Sequence, residues 1–123
     1  MRLRCFILAG LVACFTALAA PPVHADVRSD AKAKVDFGIK VSLRGLWREA
    51  IYWWEQAVQI DPSYAHAYNN LGVGYEQEGD LEKARVAYEK ALTLAPKDQQ
   101  IRQNYELFKE INERSSAQPK SDP

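Results

Sequence analysis

Residues 65–98 read AHAYNNLGVGYEQEGDLEKARVAYEKALTLAPKD, and two helical patterns stand side by side in that stretch. Tyr68, Leu71, Gly72 and Tyr75 fall at helical spacing before Glu78-Gly79-Asp80 breaks the run. Asp80 is placed to cap a second helix whose apolar stripe is Leu81, Ala84, Tyr88, Ala91 and Leu92. Pro96 follows the last turn and discourages helical continuation before it. The stretch predicts a hairpin of two helices.

Working backwards, residues 31–64 lie over 65–98 without a gap, a period of 34. Eight positions are identical: Ala31/Ala65, Ala33/Ala67, Gly38/Gly72, Gly45/Gly79, Ala50/Ala84, Glu55/Glu89, Ala57/Ala91 and Pro62/Pro96. Chance would give about two. Apolar character is also kept at Phe37/Leu71, Ile39/Val73, Val41/Tyr75, Trp54/Tyr88 and Ile60/Leu94. Arg44-Gly45 makes the same turn, and Asp61-Pro62 the same ending. Small residues (Gly38, Ala50, Ala57 and their counterparts) let paired helices approach, and Phe37, Trp54, Tyr75 and Tyr88 are expected to fill the spaces opposite.

At Tyr68, Leu71, Gly72, Tyr75, Ala84, Tyr88, Ala91 and Pro96 the second unit resembles a tetratricopeptide repeat at nearly every signature position. Residues 31–64 resemble a looser copy, departing at Lys34, where an aromatic or leucine is usual. Gln99 to Arg114 resembles the first helix of a third copy, with Tyr105 in register with Leu71 and Phe37. Glu106 replaces Gly72 there, as suits a terminal capping helix. The resemblance implies an all-α fold over residues 26–114: two helix-turn-helix hairpins and a C-terminal capping helix, forming a short right-handed α-solenoid. A lone unit cannot bury its apolar face, and stacking needs roughly three units to be robust. Ile101, Tyr105, Leu107 and Phe108 are therefore expected to cover the open face of the second unit. Residues 115–123, SSAQPKSDP, read as a disordered polar tail.

The first 25 residues have a different character. Arg2 and Arg4 precede an uncharged, Leu/Ala/Phe-rich run from Cys5 to Ala20, and Val23-His24-Ala25 ends the segment in an A-x-A-like site. A basic head, an apolar stretch and small residues at the end describe a secretory signal peptide. The run of 16 residues is short for a membrane span, and Pro21-Pro22 closes it. Cleavage after Ala25 is expected, which makes the mature chain exported, periplasmic or secreted. A competing cut exists, because Leu11-Val12-Ala13-Cys14 resembles a bacterial lipobox and would tether the protein through a lipidated Cys14. Phe15-Thr16-Ala17-Leu18 behind it is apolar where a mature lipoprotein usually turns polar.

Charge and reactive residues narrow the function classes. Lys+Arg and Asp+Glu number 16 each. That balance lacks the positive excess that nucleic acid or an anionic membrane surface demands. Removing the leader takes away both cysteines (Cys5, Cys14), the only Met and His24, and leaves 98 residues of net charge −2. With His66 as its sole imidazole, the mature chain offers no zinc ligand set and no thiol chemistry. No G-x-S-x-G, Gly-rich phosphate loop or H-E-x-x-H occurs. The carboxylates Glu76, Glu78, Asp80 and Glu82 belong to helix surfaces and caps. The expectation is no enzyme, no cofactor and no metal.

Surface remains. In tetratricopeptide proteins the first helix of each unit lines a concave groove that holds a partner segment. By register the groove residues are Lys32, Val35, Asp36 and Ile39, then His66, Asn69, Asn70 and Val73, then Gln100, Gln103, Asn104 and Leu107. Asn70 and Asn104 stand 34 apart and are expected to stack and clasp a peptide backbone, since an amide both donates and accepts. The family's carboxylate clamp for acidic C-termini is disfavoured. Val35 and Ile39 stand at two of its polar positions and Gln100 and Asn104 at two of its basic ones; only Asn70 fits. Trp47 and Trp54 match core positions, whereas Trp53 aligns with Ala87 and is expected to project outward as a contact anchor. The sequence thus points to a non-catalytic adaptor that binds a peptide or protein segment. The alternative is a structural subunit that self-associates or docks into a cell-envelope assembly, with a lipid anchor at Cys14.

Overall fold

Gly45 and Gly79 have φ of 77° and 80°, the left-handed region that glycine enters without steric cost. Each closes the same turn. The Gly79 N–H donates to Glu76 O (3.0 Å) and the Asp80 N–H to Tyr75 O (2.9 Å); Gly45 and Leu46 donate likewise to Ser42 O and Val41 O (2.8 and 3.3 Å). These paired bonds are the Schellman pattern, which ends a helix and satisfies its last carbonyls. The repeat is thus written into the turns.

The computed structural model describes residues 23–117. They form α1 (Val23–Ser42), α2 (Trp47–Ile60), α3 (Ala65–Gln77), α4 (Leu81–Leu94) and α5 (Gln99–Ala117), with no strand among the described residues. Asp80 caps α4, its carboxylate accepting from the Lys83 N–H (3.2 Å). Asp98 does the same for α5 through Ile101 N–H (3.0 Å). The architecture is an all-α solenoid in which α1 pairs with α2, α3 with α4, and α2 with α3, while α5 lies against α4 and α3.

Glycine on one helix faces a large ring on the next. A Cβ on Gly38 would run into the Trp54 indole, and one on Gly72 would sit 2.7 Å from the Tyr88 ring. Gly74 admits Ile51 and Trp54 of α2 in the same way, at 2.7 and 2.9 Å. Trp54 and Tyr88 are almost wholly buried as a result. One cluster runs from Ala31 and Val35 through Ala50, Trp54 and Ala57 to Ala67, Leu71 and Ala87, joining the two hairpins. Ala65 and Ala91 meet Ile101, and Ala84 and Tyr88 meet Phe108, so α5 seals the far side.

The end helix differs from expectation in one residue. Ile101 and Phe108 are buried, and the Tyr105 hydroxyl donates to Glu89 (3.2 Å), but Leu107 is 49% exposed and stays outside the core. At the opposite end Phe37 does not fill a core space. It is 43% exposed where its counterpart Leu71 is 5% exposed, because α2 covers Leu71 and no described helix precedes α1 to cover Phe37. Ala33 and Ala67 show the same contrast, exposed and buried. Helix α1 begins at Val23, so only Val23–Ala25 of the expected leader fall within it. The remainder of that leader, with Cys14, lies outside the described residues. Helix α5 runs to Ala117, into the first three residues of the expected tail; 118–123 also lie outside the described residues.

Candidate binding groove

Val73 of α3 and Asn104 and Leu107 of α5, three of the residues placed in the groove by register, line one hollow of about 200 Å³. Glu76, Tyr88, Phe108 and Ile111 complete it, and Leu107 and Ile111 leave an apolar rim, 49% and 55% exposed. The wall is fixed by an amide pair. Asn104 Nδ2 donates to Asn69 Oδ1 (3.1 Å), and Asn69 is only 3% exposed. The bond satisfies a buried acceptor and leaves the Asn104 carbonyl oxygen and one N–H uncommitted in that pair.

The observed amide bond is Asn69–Asn104, and no hydrogen bond joins Asn70 to Asn104 among the described residues. One residue is about 100° of helix rotation, enough to carry Asn69 between α3 and α5 and leave Asn70 half-buried, outside the lining of the hollow. Val35 also leaves the groove set. It is 3% exposed, in the core, and its carbonyl accepts from Trp54 Nε1 (3.2 Å). Lys32 and Asp36 pair with each other across one turn (2.7 Å) on an exposed face, and Ile39 is 39% exposed. His66 Nε2 lies 3.2 Å from the Asp98 carboxylate, which ties the start of α3 to the start of α5. Gln100 is exposed. Gln103 lies on another side of α5, in a polar hollow with Gln99, Arg102 and Glu106, apart from Val73.

Trp53 does not project outward. Its ring meets Phe37 edge-on (centroids 4.7 Å) and Tyr52 (5.3 Å), with Lys34 Nζ 4.9 Å above it. The indole is half-buried, and its Nε1 is buried with no hydrogen-bond partner among the described residues. The exposed aromatics at this end are Tyr52 (52%) and Phe37 (43%).

Charge placement serves the scaffold. Asp61, 7% exposed, accepts from Ser63 N (3.0 Å), Ser63 Oγ (2.7 Å) and the Arg28 guanidinium, which also lies 4.6 Å over the Tyr64 ring. Burial alone would raise this carboxyl; the hydrogen bonds from Ser63 and Arg28 outweigh it and hold it below its ordinary 3.8. Burial, Glu76 and Glu55 push the phenols of Tyr88 and Tyr75 up, so both donate: Tyr88 to Glu76 (2.9 Å) and Tyr75 to Glu55 (2.8 Å).

A second concavity escaped the sequence reading. Tyr68, Leu71 and Tyr75 of α3, with Val86, Ala87 and Lys90 of α4, line a largely apolar cleft of about 400 Å³. It uses the side of α3 away from Val73. Its signal in the sequence was the mismatch of Trp53 with Ala87 at one register position.

Comparison with known proteins agrees with this geometry. The tetratricopeptide repeat model matches residues 65–98, and a second TPR repeat model matches residues 43–79. Tetratricopeptide repeats are thus recognised in this chain. The repeat is a non-catalytic fold that generally mediates protein–protein interaction. Among relatives, an uncharacterized protein ycf37 of Pyropia yezoensis is 54% identical over 41 residues, 33% of this chain and 23% of that protein. The chloroplastic tetratricopeptide repeat domain-containing protein PYG7 of Arabidopsis thaliana is 36% identical over 56 residues, 46% of this chain and 19% of its own length. The heat shock protein STI1 of Saccharomyces cerevisiae is 31% identical over 64 residues, 52% of this chain and 11% of STI1. The chain spans less than a quarter of each of these relatives.

Proposed function

We propose that this protein is a non-catalytic adaptor that holds a peptide or protein segment against the surface shared by α1, α3 and α5. The observation that carries the reading is the meeting of Val73, Asn104 and Leu107 in one hollow, an amide beside an exposed apolar rim. Leu107 and Ile111 would take an apolar side chain, and the Asn104 amide would bond the partner's backbone. The test is to select binders from a random peptide library on the full chain, then repeat the titration with Val73→Glu and Leu107→Glu. Affinity should fall at least about tenfold while helicity is kept. Undiminished binding by both variants would remove the groove from the proposal.

The protein is further proposed to be exported, on the strength of the basic, apolar and small-residue pattern in residues 1–25. Intact-mass and N-terminal sequencing of the cellular product distinguish a chain starting at Asp26 from one acylated at Cys14; a chain still carrying Met1 overturns export by either route. The second reading, a structural subunit that self-associates or docks into an envelope assembly, draws on the exposed Phe37 and Tyr52 of the first hairpin. Sedimentation separates the two: a peptide-binding monomer supports the adaptor, and a stable oligomer with the groove covered supports the assembly subunit.

A further inference from the structure

We propose that the cleft formed by α3 and α4 on the side away from the groove is a second docking site, one that takes an aromatic side chain from an acidic segment of a partner protein. The molecule contains its own precedent for the occupant. In the first hairpin the same register positions are Lys34, Phe37, Tyr52 and Trp53, and there the Trp53 indole lies on Phe37 beneath the Lys34 ammonium. In the second hairpin Leu71 replaces Phe37 and Ala87 replaces Trp53, so the floor remains apolar while the ring is gone. The space left is about 400 Å³, walled by the rings of Tyr68 and Tyr75. The Tyr75 hydroxyl is held by Glu55 of α2 (2.8 Å), which fixes that wall in place.

Charge selects the neighbours of the incoming ring. Lys83 Nζ lies 5.6 Å over the Tyr75 ring and Lys90 Nζ 5.9 Å over the Tyr68 ring, so an ammonium group stands beside each wall. Glu82, also on the rim, is engaged by the Arg85 guanidinium. Lys83 shares its charge with Asp80 (3.2 Å), whereas no carboxylate among the described residues pairs with Lys90. A partner carrying Asp or Glu beside its aromatic residue would meet both ammonium groups, and a basic partner would be repelled. A ring sandwiched among tyrosines under a lysine also gains aromatic and cation–π contacts.

The probe is the peptide acetyl-Glu-Trp-Asp-amide, titrated into the full chain and followed by methyl resonances. Saturable shifts at Leu71, Val86 and Ala87, lost when the peptide's Trp is replaced by Ala, are expected. Ala87→Trp should fill the cleft from within, as Trp53 does in the first hairpin, and weaken binding at least about tenfold. Lys90→Glu, on the exposed rim, tests the charge without touching the floor and should also weaken binding. Either variant suffices if the other misfolds. Absence of shifts, shifts confined to Val73 and Leu107, or full binding by a folded variant would overturn the proposal. Val73→Glu leaves this site untouched, so failure here and failure of the groove are separately visible.

Discussion

Gly72 is where one methyl group decides the packing of the second hairpin. Its Cβ would meet the Tyr88 ring at 2.7 Å, and Tyr88 is pinned by its hydroxyl bond to Glu76 and by Phe108 behind it (ring centroids 5.3 Å). Gly72→Ala should cost about 1–3 kcal/mol by overpacking, read as a lower urea midpoint with an unchanged slope. Asp61 gives a pH signature. Its carboxyl is held below the ordinary 3.8 in the folded chain, so the stabilisation is complete above that value and is lost as pH falls through the folded-state pKa. Asp61→Asn should flatten this acid limb of the stability profile, measured by thermal melts between neutral and acid pH. The glycine–ring contacts were legible in the sequence because both repeats carry them. The choice between Asn69 and Asn70 was not, since register transfer from a family does not resolve a single step of helix rotation.

Among the elements, α5 is the one that closes the far side of the stack. Ile101 and Phe108 are the side chains it buries, whereas Leu107 is half in solvent. Ile101→Ala and Phe108→Ala should each cost about 2–5 kcal/mol, and Leu107→Ala within about 0.5 kcal/mol, in chemical unfolding. A larger effect at Leu107 would mean that the helix packs in another rotation. The helix interiors were readable from periodicity and the turns from Gly45, Gly79, Pro62 and Pro96. The two ends were not. The repeat register pairs Phe37 with Leu71 and Ala33 with Ala67, and only the order of stacking shows that α2 covers the α3 residues while no described helix covers those of α1. Val35 departs from its expected place in the groove for a related reason: the pattern at Lys34 gives no sign that the next residue packs in the core with Trp54.

At the scale of the whole molecule, two hairpins and one sealing helix present different chemistry on opposite sides of α3. One side holds a hollow built on an amide pair; the other holds an apolar cleft between tyrosines under lysines. The first was partly legible, because Val73, Asn104 and Leu107 follow the family's groove positions. The second was hidden in a single substitution between the repeats. Both depend on α5 holding α3 and α4 in register, since two repeats alone lie below the roughly three needed for robust stacking. The direct measurement is thermal unfolding, by circular dichroism, of a chain ended after Pro96 beside the full chain. Loss of the cooperative transition is the expected result, and a cooperative melt near the parent temperature would contradict the sealing role of α5.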